Sequence, residues 1–361
     1  MKTSFFAIRR VIAILCTTTP LALLSAPVVA EIPDIDSSGW AVDPRGFGMS
    51  AGDYIRAESR AVFADFLSRS AINKFYHFKG LSSAADKWVV SPNNDTIYSI
   101  ATVNARKGFT LKLPDVGDRF IGTQIITENH MTPFYVYGGG THEFSADDFD
   151  TDFVGVGVRI GTDGTPGDIK KVVEELQPQY AIEGAATEAD LPPVDKDALV
   201  KVRNALIPEY SKLPNTFGVM VKHTEDVKDW ERFTYVTAGA WGLSADENAM
   251  YAIGGPANAK GDVCYTATFP KVPAKAFFSV TLYGPDKYLM TDKDNIVSSN
   301  RGVVTKDDGS FDVAFGGEAC RKLAPNYAAT PKNGWSFLLR AYRPDVAAFK
   351  AYKVPEITEA R

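Results

Sequence analysis

Short apolar runs at strand spacing occupy the first and last thirds of this 361-residue chain. β-Branched and aromatic residues there are interrupted by Gly, Pro, Asn and Asp, a pattern typical of short strands joined by turns. The pattern predicts strands at residues 88–90, 97–103, 109–113, 120–127, 134–137 and 153–160, and again at 263–269, 276–283, 303–305, 311–315 and 335–342. A series of this kind is typical of a β-sandwich or jelly roll.

Helical periodicity occurs before and between the two β-rich parts. A helix is predicted to begin at Asp53, where apolar side chains recur every three or four residues. Two more are predicted to be capped by Asp168 and Asp195, because an Asp side chain can accept from the free N–H groups of a first turn. Their predicted ends are set by Pro178 and Pro208.

Two further segments complete the helical middle of the chain. Residues 226–241 carry apolar positions at helical spacing. Ser244 and Glu247 have the spacing of a capping box, which predicts a short helix through Tyr251. The fold class predicted from these elements is mainly β with a helical bridge (α+β), built from two jelly-roll-like β-sandwich units.

An eight-residue segment is echoed later in the chain. Residues 109–116 read Phe-Thr-Leu-Lys-Leu-Pro-Asp-Val, and residues 265–272 read Tyr-Thr-Ala-Thr-Phe-Pro-Lys-Val. In each copy an aromatic-Thr strand leads into a Pro, a short turn and a second apolar run. The echo suggests two related β units in one chain and leaves their origin by duplication unproven.

The first thirty residues have the features of a secretory signal peptide. Lys2, Arg9 and Arg10 precede an apolar stretch over 11–24, and Val-Val-Ala at 28–30 offers a cleavage site. An exported protein, periplasmic or secreted, is expected, and the alternative is an uncleaved membrane anchor. The predicted organisation is a signal peptide (1–30), an N-terminal helix plus β-sandwich (31–165), a helical bridge (166–255) and a C-terminal β-sandwich (256–361).

Removal of residues 1–30 makes the chain more acidic. The formal charge of the whole chain is −5, and the mature part keeps 36 Lys and Arg against 44 Asp and Glu. This balance, without a basic run interleaved with aromatic residues, argues against nucleic acid or an anionic membrane surface as a partner. The mature part shows no second membrane span, and a homo-oligomer is compatible with the sequence.

Two cysteines, Cys264 and Cys320, are left after the signal peptide. An even pair in an exported chain predicts a disulfide, which would close a loop of roughly 57 residues and stabilise the fold by roughly 4 kcal/mol. The alternative is two separate buried thiols.

Several motifs together resemble a bacterial, often exported, family that joins two domains of unknown function, DUF1254 and DUF1214. The run Ser-Pro-Asn-Asn-Asp-Thr-Ile-Tyr-Ser at 91–99 is similar to a hallmark of its first domain. Residues 54–58 and 127–130 resemble two further segments of that domain. Residues 276–283 and 339–344 resemble strands of the second domain, although Phe278 stands where the family usually has Trp. The resemblance implies a jelly-roll-like fold and no agreed reaction.

Scarce histidines suggest one candidate site. His77, His130 and His142 fall in the N-terminal half, and Glu128 and His130 would point to one face of an extended strand. With Asp95 they could hold a divalent metal, with the three histidines as ligands and Glu128, His130 and Asp95 as catalytic groups. The alternative is histidines on surface loops and an Asp95 that fixes a turn. The identity of any cofactor beyond such a metal stays open.

The polar cluster around Asn93 and Asn94 is a second candidate site. These side chains can fix a tight turn before the next strand, or they can present donors and acceptors to a ligand together with Tyr98. Arg340 could close a pocket over an anion, or it could pair with an acid and hold the last strand. Arg159 and Arg301 allow the same two interpretations.

Familiar catalytic patterns are missing from the sequence. It contains no Gly-x-Ser-x-Gly nucleophile elbow and no Walker loop, and Gly-Gly-Gly at 138–140 does not open a predicted helix. The leading hypothesis is therefore a periplasmic small-molecule-binding protein or accessory factor. The alternatives are a metal-assisted hydrolase or lyase and an envelope structural or assembly protein.

Overall fold

The computed structural model describes residues 32–360, so the predicted signal peptide lies outside the described residues. Helices are α1 (Ala51–Arg69), α2 (Pro166–Lys171), α3 (Lys196–Tyr210), α4 (Trp230–Ala240) and α5 (Val346–Lys350). Strands are β1 (Tyr76–His77), β2 (Thr96–Asn104), β3 (Phe109–Leu113), β4 (Ile121–Thr127), β5 (Phe134–Tyr137), β6 (Gly140–Phe144), β7 (Phe153–Gly161), β8 (Ala181–Glu183), β9 (Ala249–Gly254), β10 (Tyr265–Phe269), β11 (Ala274–Tyr283), β12 (Ile296–Ser298), β13 (Phe311–Gly316), β14 (Asn326–Ala329), β15 (Ser336–Pro344) and β16 (Thr358–Glu359).

The N-terminal sandwich pairs a five-stranded sheet with a three-stranded sheet. The strand orders are β1-β2-β7-β4-β5 and β6-β3-β8. Alternate side chains of β7, from Val154 to Ile160, are fully buried against Phe109, Leu111 and Leu113 of β3 in one apolar cluster. This period of two is what a strand with one face on a core requires.

The C-terminal sandwich is made of two four-stranded sheets. Their orders are β12-β11-β15-β9 and β14-β13-β10-β16, with β13 and β14 parallel. Phe269, Phe311, Phe315 and Phe337 meet in the core between the sheets, where each is 0–1% exposed. The predicted disulfide is confirmed, because Cys264 and Cys320 are bonded, with 5.3 Å between their Cα atoms. It ties the beginning of β10 to the turn after β13.

Helices α1, α3 and α4 pack on one another beside the two sandwiches. Tyr54 of α1, Val202 of α3 and Tyr235 of α4 share one buried cluster. Helix α1 also lies against β2, where the Thr102 hydroxyl donates to the carbonyl of Phe63. None of the helices in residues 32–360 is long and apolar enough to cross a membrane.

These elements confirm a mainly β, sandwich-like α+β fold. The echoed segments form β3 and β10, and the strands that follow them, β4 and β11, lie in the opposite sheet of the same sandwich. Pro114 and Pro270 come directly after the echoed strands. Because proline has no backbone N–H to donate to a neighbouring strand, the hydrogen bonding between strands ends there. The echo therefore marks the corner at which each sandwich passes from one sheet to the other.

Three predicted strands or helices are wrong because tertiary contacts override local pattern. The predicted helix from Ser244 is instead a turn followed by β9, which pairs with β15 and places Met250 in the C-terminal core. Residues 88–90 form bends, not a strand, with Trp88 packed on Phe78 and Tyr98. Residues 303–305 form no strand, because the Asn326 side chain hydrogen-bonds both backbone groups of Val304.

Two helix boundaries also differ from the prediction. Helix α3 is capped by Asp195 as predicted, but it continues through Pro208 to Tyr210. Helix α2 is capped by Thr165 and not by Asp168, whose carboxylate pairs with Arg119. A π-helical turn, Val172–Leu176, extends it. The predicted bridge over 166–255 thus contains β8, which joins the N-terminal sandwich, and β9, which joins the C-terminal one.

Candidate functional site

A cavity of about 650 Å³ lies where the five-stranded sheet faces the sheet of β9, β11, β12 and β15. Strands β2, β4 and β7 line one side, and strands β9, β11 and β15 line the other. Phe66 of α1, Tyr210 of α3 and Ala240 of α4 complete the wall. Each sheet therefore has one face on its own sandwich core and the opposite face on the cavity.

Glycines on β7 help to leave this space open. Gly155 and Gly157 alternate with core valines and point to the cavity side of the sheet. A Cβ atom at Gly155 would come 2.5 Å from the Phe63 ring, whereas one at Gly157 would meet nothing within 4 Å. Gly155 thus permits close packing of α1, and Gly157 leaves room beside Ile100 and Gln124, its neighbours on β2 and β4.

Strand register places one arginine from each sandwich on the cavity wall. Arg159 lies on β7, directly beside Tyr98 of β2. Arg340 lies on β15, directly beside Tyr251 of β9 and Ser279 of β11. Both strands are flanked by neighbours on two sides, so each guanidinium is held within a sheet and not at its edge.

The guanidinium of Arg340 is only partly used by the protein. Its Nη2 donates to the carbonyl of Ser91 at 2.7 Å, and its carbon lies 5.6 Å from the centre of the Tyr283 ring. Arg340 is only 3% exposed, and its Nη1 has no hydrogen-bond partner in residues 32–360. No carboxylate of that range forms an ion pair with it.

Arg159 has equally few partners. Its Nη1 reaches the Ser244 hydroxyl only at 3.5 Å, and its guanidinium carbon lies 5.7 Å from the centre of the Tyr98 ring. Burial lowers its pKa, but the oxygens of Tyr98 and other surrounding tyrosines outweigh this and raise the pKa above its ordinary value. Arg159 is therefore a cation at any physiological pH.

The tyrosines around the two arginines are neutral. Burial raises the pKa of Tyr283 to about 12 and that of Tyr135 to about 12. Burial also raises the pKa of Tyr98 and of Tyr342, although Arg159 and Arg340 act on both in the opposite direction. These phenols offer dipoles and ring faces to the guanidinium groups and do not neutralise them.

The charge of the cavity lining is opposite to that of the chain. Arg159, Arg340 and Lys287 line the cavity, and no Asp or Glu does among the residues described. The whole chain has 44 acidic residues against 39 basic ones. Most other lining side chains are apolar or aromatic, among them Trp88, Trp241, Phe217, Ile126, Leu243 and Leu338. The arrangement suits an anionic group attached to an apolar body.

The predicted Asn cluster is located at the seam between the two sandwiches. Asn93 accepts from the backbone N–H groups of Asp95 and Thr96, which fixes the turn before β2, and its own amide donates to the Tyr342 hydroxyl. Asn94 donates to the Asn295 side chain at 2.8 Å. The cluster thus fixes a turn and also binds the C-terminal sandwich, and Asn93, Tyr98 and Arg340 all line the cavity.

Asp95 lies behind this wall and not in the cavity lining. Burial raises the pKa of its carboxyl, opposed by the nearby hydroxyls of Ser279 and Ser298 and by Arg340 and Arg301. Neither carboxylate oxygen of Asp95 has a well-formed hydrogen bond in residues 32–360, so the two nearby hydroxyls are not aligned to donate to it. Arg301 of the C-terminal sandwich donates to the carbonyl of Asn94, and this hydrogen bond also joins the two sandwiches.

The residues of the predicted metal site have separate structural partners. His130 lies in a turn after β4 with a φ of 63°, so the expectation that Glu128 and His130 share one face of an extended strand is wrong. Glu128 pairs with Arg60. His77 contacts the Ser99 hydroxyl at 2.8 Å on β2, and His142 lies on β6.

Both ring nitrogens of His130 are hydrogen-bonded. Its Nε2 accepts from the Gly242 N–H at 3.0 Å, so Nδ1 carries the proton and donates to the Thr237 hydroxyl at 2.9 Å. Burial lowers its pKa to about 3. In the described part of the chain, no three His, Cys, Asp or Glu residues are grouped to hold a metal ion. The metal site therefore stays a prediction without a convergent ligand set in that range.

Several cavity residues escaped sequence analysis. The sequence pattern places Trp88 in a strand and Trp241 and Tyr251 in helices, without indicating that all three line one cavity. The alternation Gly155-Val156-Gly157-Val158-Arg159 was a usable signal, because small residues and one cation share the face opposite the valines. Lys287 gave no signal of its own.

Comparison with known families assigns both sandwiches. The family described as a protein of unknown function (DUF1254) matches residues 72–147, and the family described as a protein of unknown function (DUF1214) matches residues 252–346. The pair and its order agree with the resemblance seen in the sequence. No curated protein matches the chain.

Two solved structures are similar in fold. The VPA0106 protein from Vibrio parahaemolyticus, solved by crystallography, is 15% identical with a TM-score of 0.67, and the match covers 88% of this chain and 98% of that one. An uncharacterised protein from Burkholderia cenocepacia is 12% identical with a TM-score of 0.49, and the match covers 86% of each chain. The first likeness shows that the fold occurs in a solved structure.

Proposed function

Given that this chain carries a DUF1254 domain followed by a DUF1214 domain, we propose that it is an exported small-molecule-binding protein. Its ligand is an anion with an apolar body, held in the cavity between the two sandwiches. The N-terminal signal pattern and the Cys264–Cys320 disulfide support export, because disulfides persist mainly in oxidising compartments.

The observation that carries the proposal is a pair of cations on one cavity wall, the buried Arg340 and the half-buried Arg159, neither of which forms an ion pair within residues 32–360. Arg159 and Arg340 face a mainly apolar cavity whose lining includes no carboxylate among the described residues. Burying a charge without an ion-pair partner costs several kcal/mol, so a fold that keeps Arg340 buried at the cavity, with Arg159 on the same lining, is suited to an anion from outside the chain. The free Nη1 donor of Arg340 supports this assignment.

Titration calorimetry with octanoate and its neutral analogue octanamide tests the proposal. Octanoate is expected to bind the mature protein, and octanamide at least tenfold more weakly, because a charge-assisted hydrogen bond contributes about 1.5–3 kcal/mol. Trp88 and Trp241 line the cavity, so a fluorescence change should accompany binding. Equal affinity for both compounds, or binding of neither, would contradict the proposal.

Substitutions give matched controls for this experiment. Arg340→Gln is expected to weaken octanoate binding about 10- to 100-fold, and Arg340→Lys less than that. Arg321→Gln, at an exposed arginine paired with Glu318 and Asp294, should leave the affinity unchanged.

Gly157→Val serves as a test of the cavity itself. Its new methyl groups enter open space on a strand, where β-branched residues are well tolerated, so the fold should persist. Octanoate binding should be weakened, because the new side chain occupies part of the cavity beside Arg159, two residues along β7. Retention of full affinity in a folded Gly157→Val variant would place the ligand elsewhere.

A further inference from the structure

We infer that the ligand is an anionic amphiphile bound head first, with its charged group at Arg159 and Arg340 and its apolar chain directed toward the cavity mouth. The inference rests on the proposed function and adds the direction of the ligand in the cavity. A carboxylate, a phosphate or a sulfate would provide the required head, since each accepts hydrogen bonds from guanidinium groups.

The buried part of the cavity lining contains Arg340, and its exposed part includes two large apolar residues. Arg340 is 3% exposed, and its neighbours Tyr283 and Tyr342 are 2% and 1% exposed. Two other lining residues, Val90 and Ile253, are 53% and 71% exposed, and Ile253 has the highest exposure of the large apolar residues in residues 32–360. A ligand with its charge inside and its chain at the opening would match both ends.

Both arginines can reach one head group. Arg159 lies beside Tyr98 in the sheet register, and Arg340 lies two residues from Tyr342 on the same face of β15. Tyr98 and Tyr342 line the same cavity as the two arginines. We therefore place the head group between the two guanidinium groups, where a single anion would contact both.

Apolar lining residues lie near Arg340 in the chain and in the strand register. Val90 belongs to the segment that Arg340 holds through the Ser91 carbonyl, and Ile253 lies on β9, the edge strand of its sheet. Leu338 is the cross-strand partner of Ile253 and also lines the cavity. Together these side chains form a rim that would cover several methylene groups of a ligand chain.

The opposite orientation would use a different cation. Lys287 is exposed at the rim, where its amino group lies 3.5 Å from the Ser336 hydroxyl. A ligand with its head at the opening and its chain inside would depend on Lys287 more than on Arg340. The two orientations therefore make opposite predictions for two single substitutions.

A series of alkyl carboxylates from butanoate to decanoate, kept below their critical micelle concentrations, tests the inference by titration calorimetry. Affinity should rise about threefold per added methylene, the effect of burying apolar surface. Arg340→Gln should weaken every member of the series by a similar factor, whereas Lys287→Gln should change each by less than about twofold. Octyl phosphate and octyl sulfate, compared with octanoate, identify the preferred head.

Rim substitutions locate the chain. Ile253→Asn should weaken decanoate about tenfold and leave butanoate within about twofold, because only a long chain reaches the rim. Ile207→Asn, at an exposed isoleucine of α3 outside the cavity lining, is the matched control and should affect neither. Urea unfolding of each variant confirms that it is folded.

The outcomes separate this inference from the proposed function. If anions bind but affinity is independent of chain length, or if Lys287→Gln weakens binding more than Arg340→Gln, the head-first orientation is wrong and anion binding stands. If no carboxylate, phosphate or sulfate of the series binds, the proposed function and the inference both fail.

Discussion

In the N-terminal sandwich the central strand β7 packs valine and isoleucine into the core, whereas in the C-terminal sandwich the core is a group of aromatic rings. Val154, Val156, Val158 and Ile160 make the first contact surface. Phe269 stacks on Phe311 in the second, with 5.1 Å between ring centres and 9° between planes. The second sandwich also has the disulfide, and the first has three of the four histidines.

The two sandwiches share the arrangement of their strands but differ in the interactions that stabilise them. Each turns a corner at its echoed strand, and each places one arginine on the cavity side of a strand with neighbours on both sides. Core composition can therefore differ while the position of the cavity wall is kept. The three predictions that follow test how independent the two sandwiches are.

The largest effect is expected from truncating the last residue of each echoed strand. Phe269→Ala should lower the free energy of unfolding by about 4 kcal/mol and Leu113→Ala by about 3 kcal/mol, because the aromatic side chain leaves the larger cavity. Phe269 is fully buried and Leu113 is 6% exposed. Urea unfolding followed by fluorescence measures both, and a greater loss for Leu113→Ala would contradict the comparison.

Removing the disulfide should affect only the C-terminal sandwich directly. Replacing Cys264 and Cys320 together by Ala is expected to cost about 4 kcal/mol, since the bond closes a loop between residues 56 positions apart. Calorimetric scans with and without dithiothreitol measure the loss. Wild-type protein should fall to the level of the double variant under reduction, and the double variant should not respond. A reductant effect of equal size in both would rule out this bond as the cause.

Between pH 7.5 and 5, acid sensitivity should arise from the N-terminal sandwich, because histidine titrates in this range and the C-terminal sandwich contains none. The pKa of His130 is lowered to about 3, so between pH 6.5 and 3 the unfolded chain binds a proton that the fold does not. Stability is therefore lost as the pH falls through this window, by about 2 kcal/mol between pH 7.5 and 5. His77, with its pKa lowered to about 4 by burial, adds to the same trend.

His130→Gln measures this contribution through urea unfolding at pH 7.5 and pH 5. The variant should be less stable than wild type at pH 7.5, and the gap should shrink by about 2 kcal/mol at pH 5. Thr237→Val is the control, because it removes the partner of Nδ1 without removing a titrating group, and it should cost about 1 kcal/mol at both pH values. An unchanged gap for His130→Gln would exclude His130 as the source.

Local pattern was sufficient for the fold wherever a segment had one core face. The strands at Phe109–Leu113 and Phe134–Tyr137 and the Asp195 cap agree with prediction to the residue. The failures at residues 88–90, 244–251 and 303–305 have a common cause. In each, the structure depends on a partner distant in sequence, such as the Asn326 amide that binds Val304, and a local window does not contain it.

Only part of the candidate site could be predicted from the sequence. Asn93, Tyr98 and Arg340 stood out as a polar cluster and as a cation after an apolar run, and the structure brings all three to one cavity. Arg159 lines the same cavity as these residues because of the way in which two sheets from different sandwiches meet. This geometry is fixed by contacts such as Phe120 against Phe277 and Tyr342, which no spacing along the chain encodes.

The alternation along β7 has an evolutionary consequence. Because Val156 and Val158 hold the core while Gly157 faces open space, a change at Gly157 can alter the shape of the cavity, and under the proposed function the ligand that fits, without a matching change in the core. Related chains could thus diverge in the molecules they accept by single substitutions on one side of a sheet. Selection for folding and selection for ligand choice would then act on separate sets of positions within the same nine-residue strand.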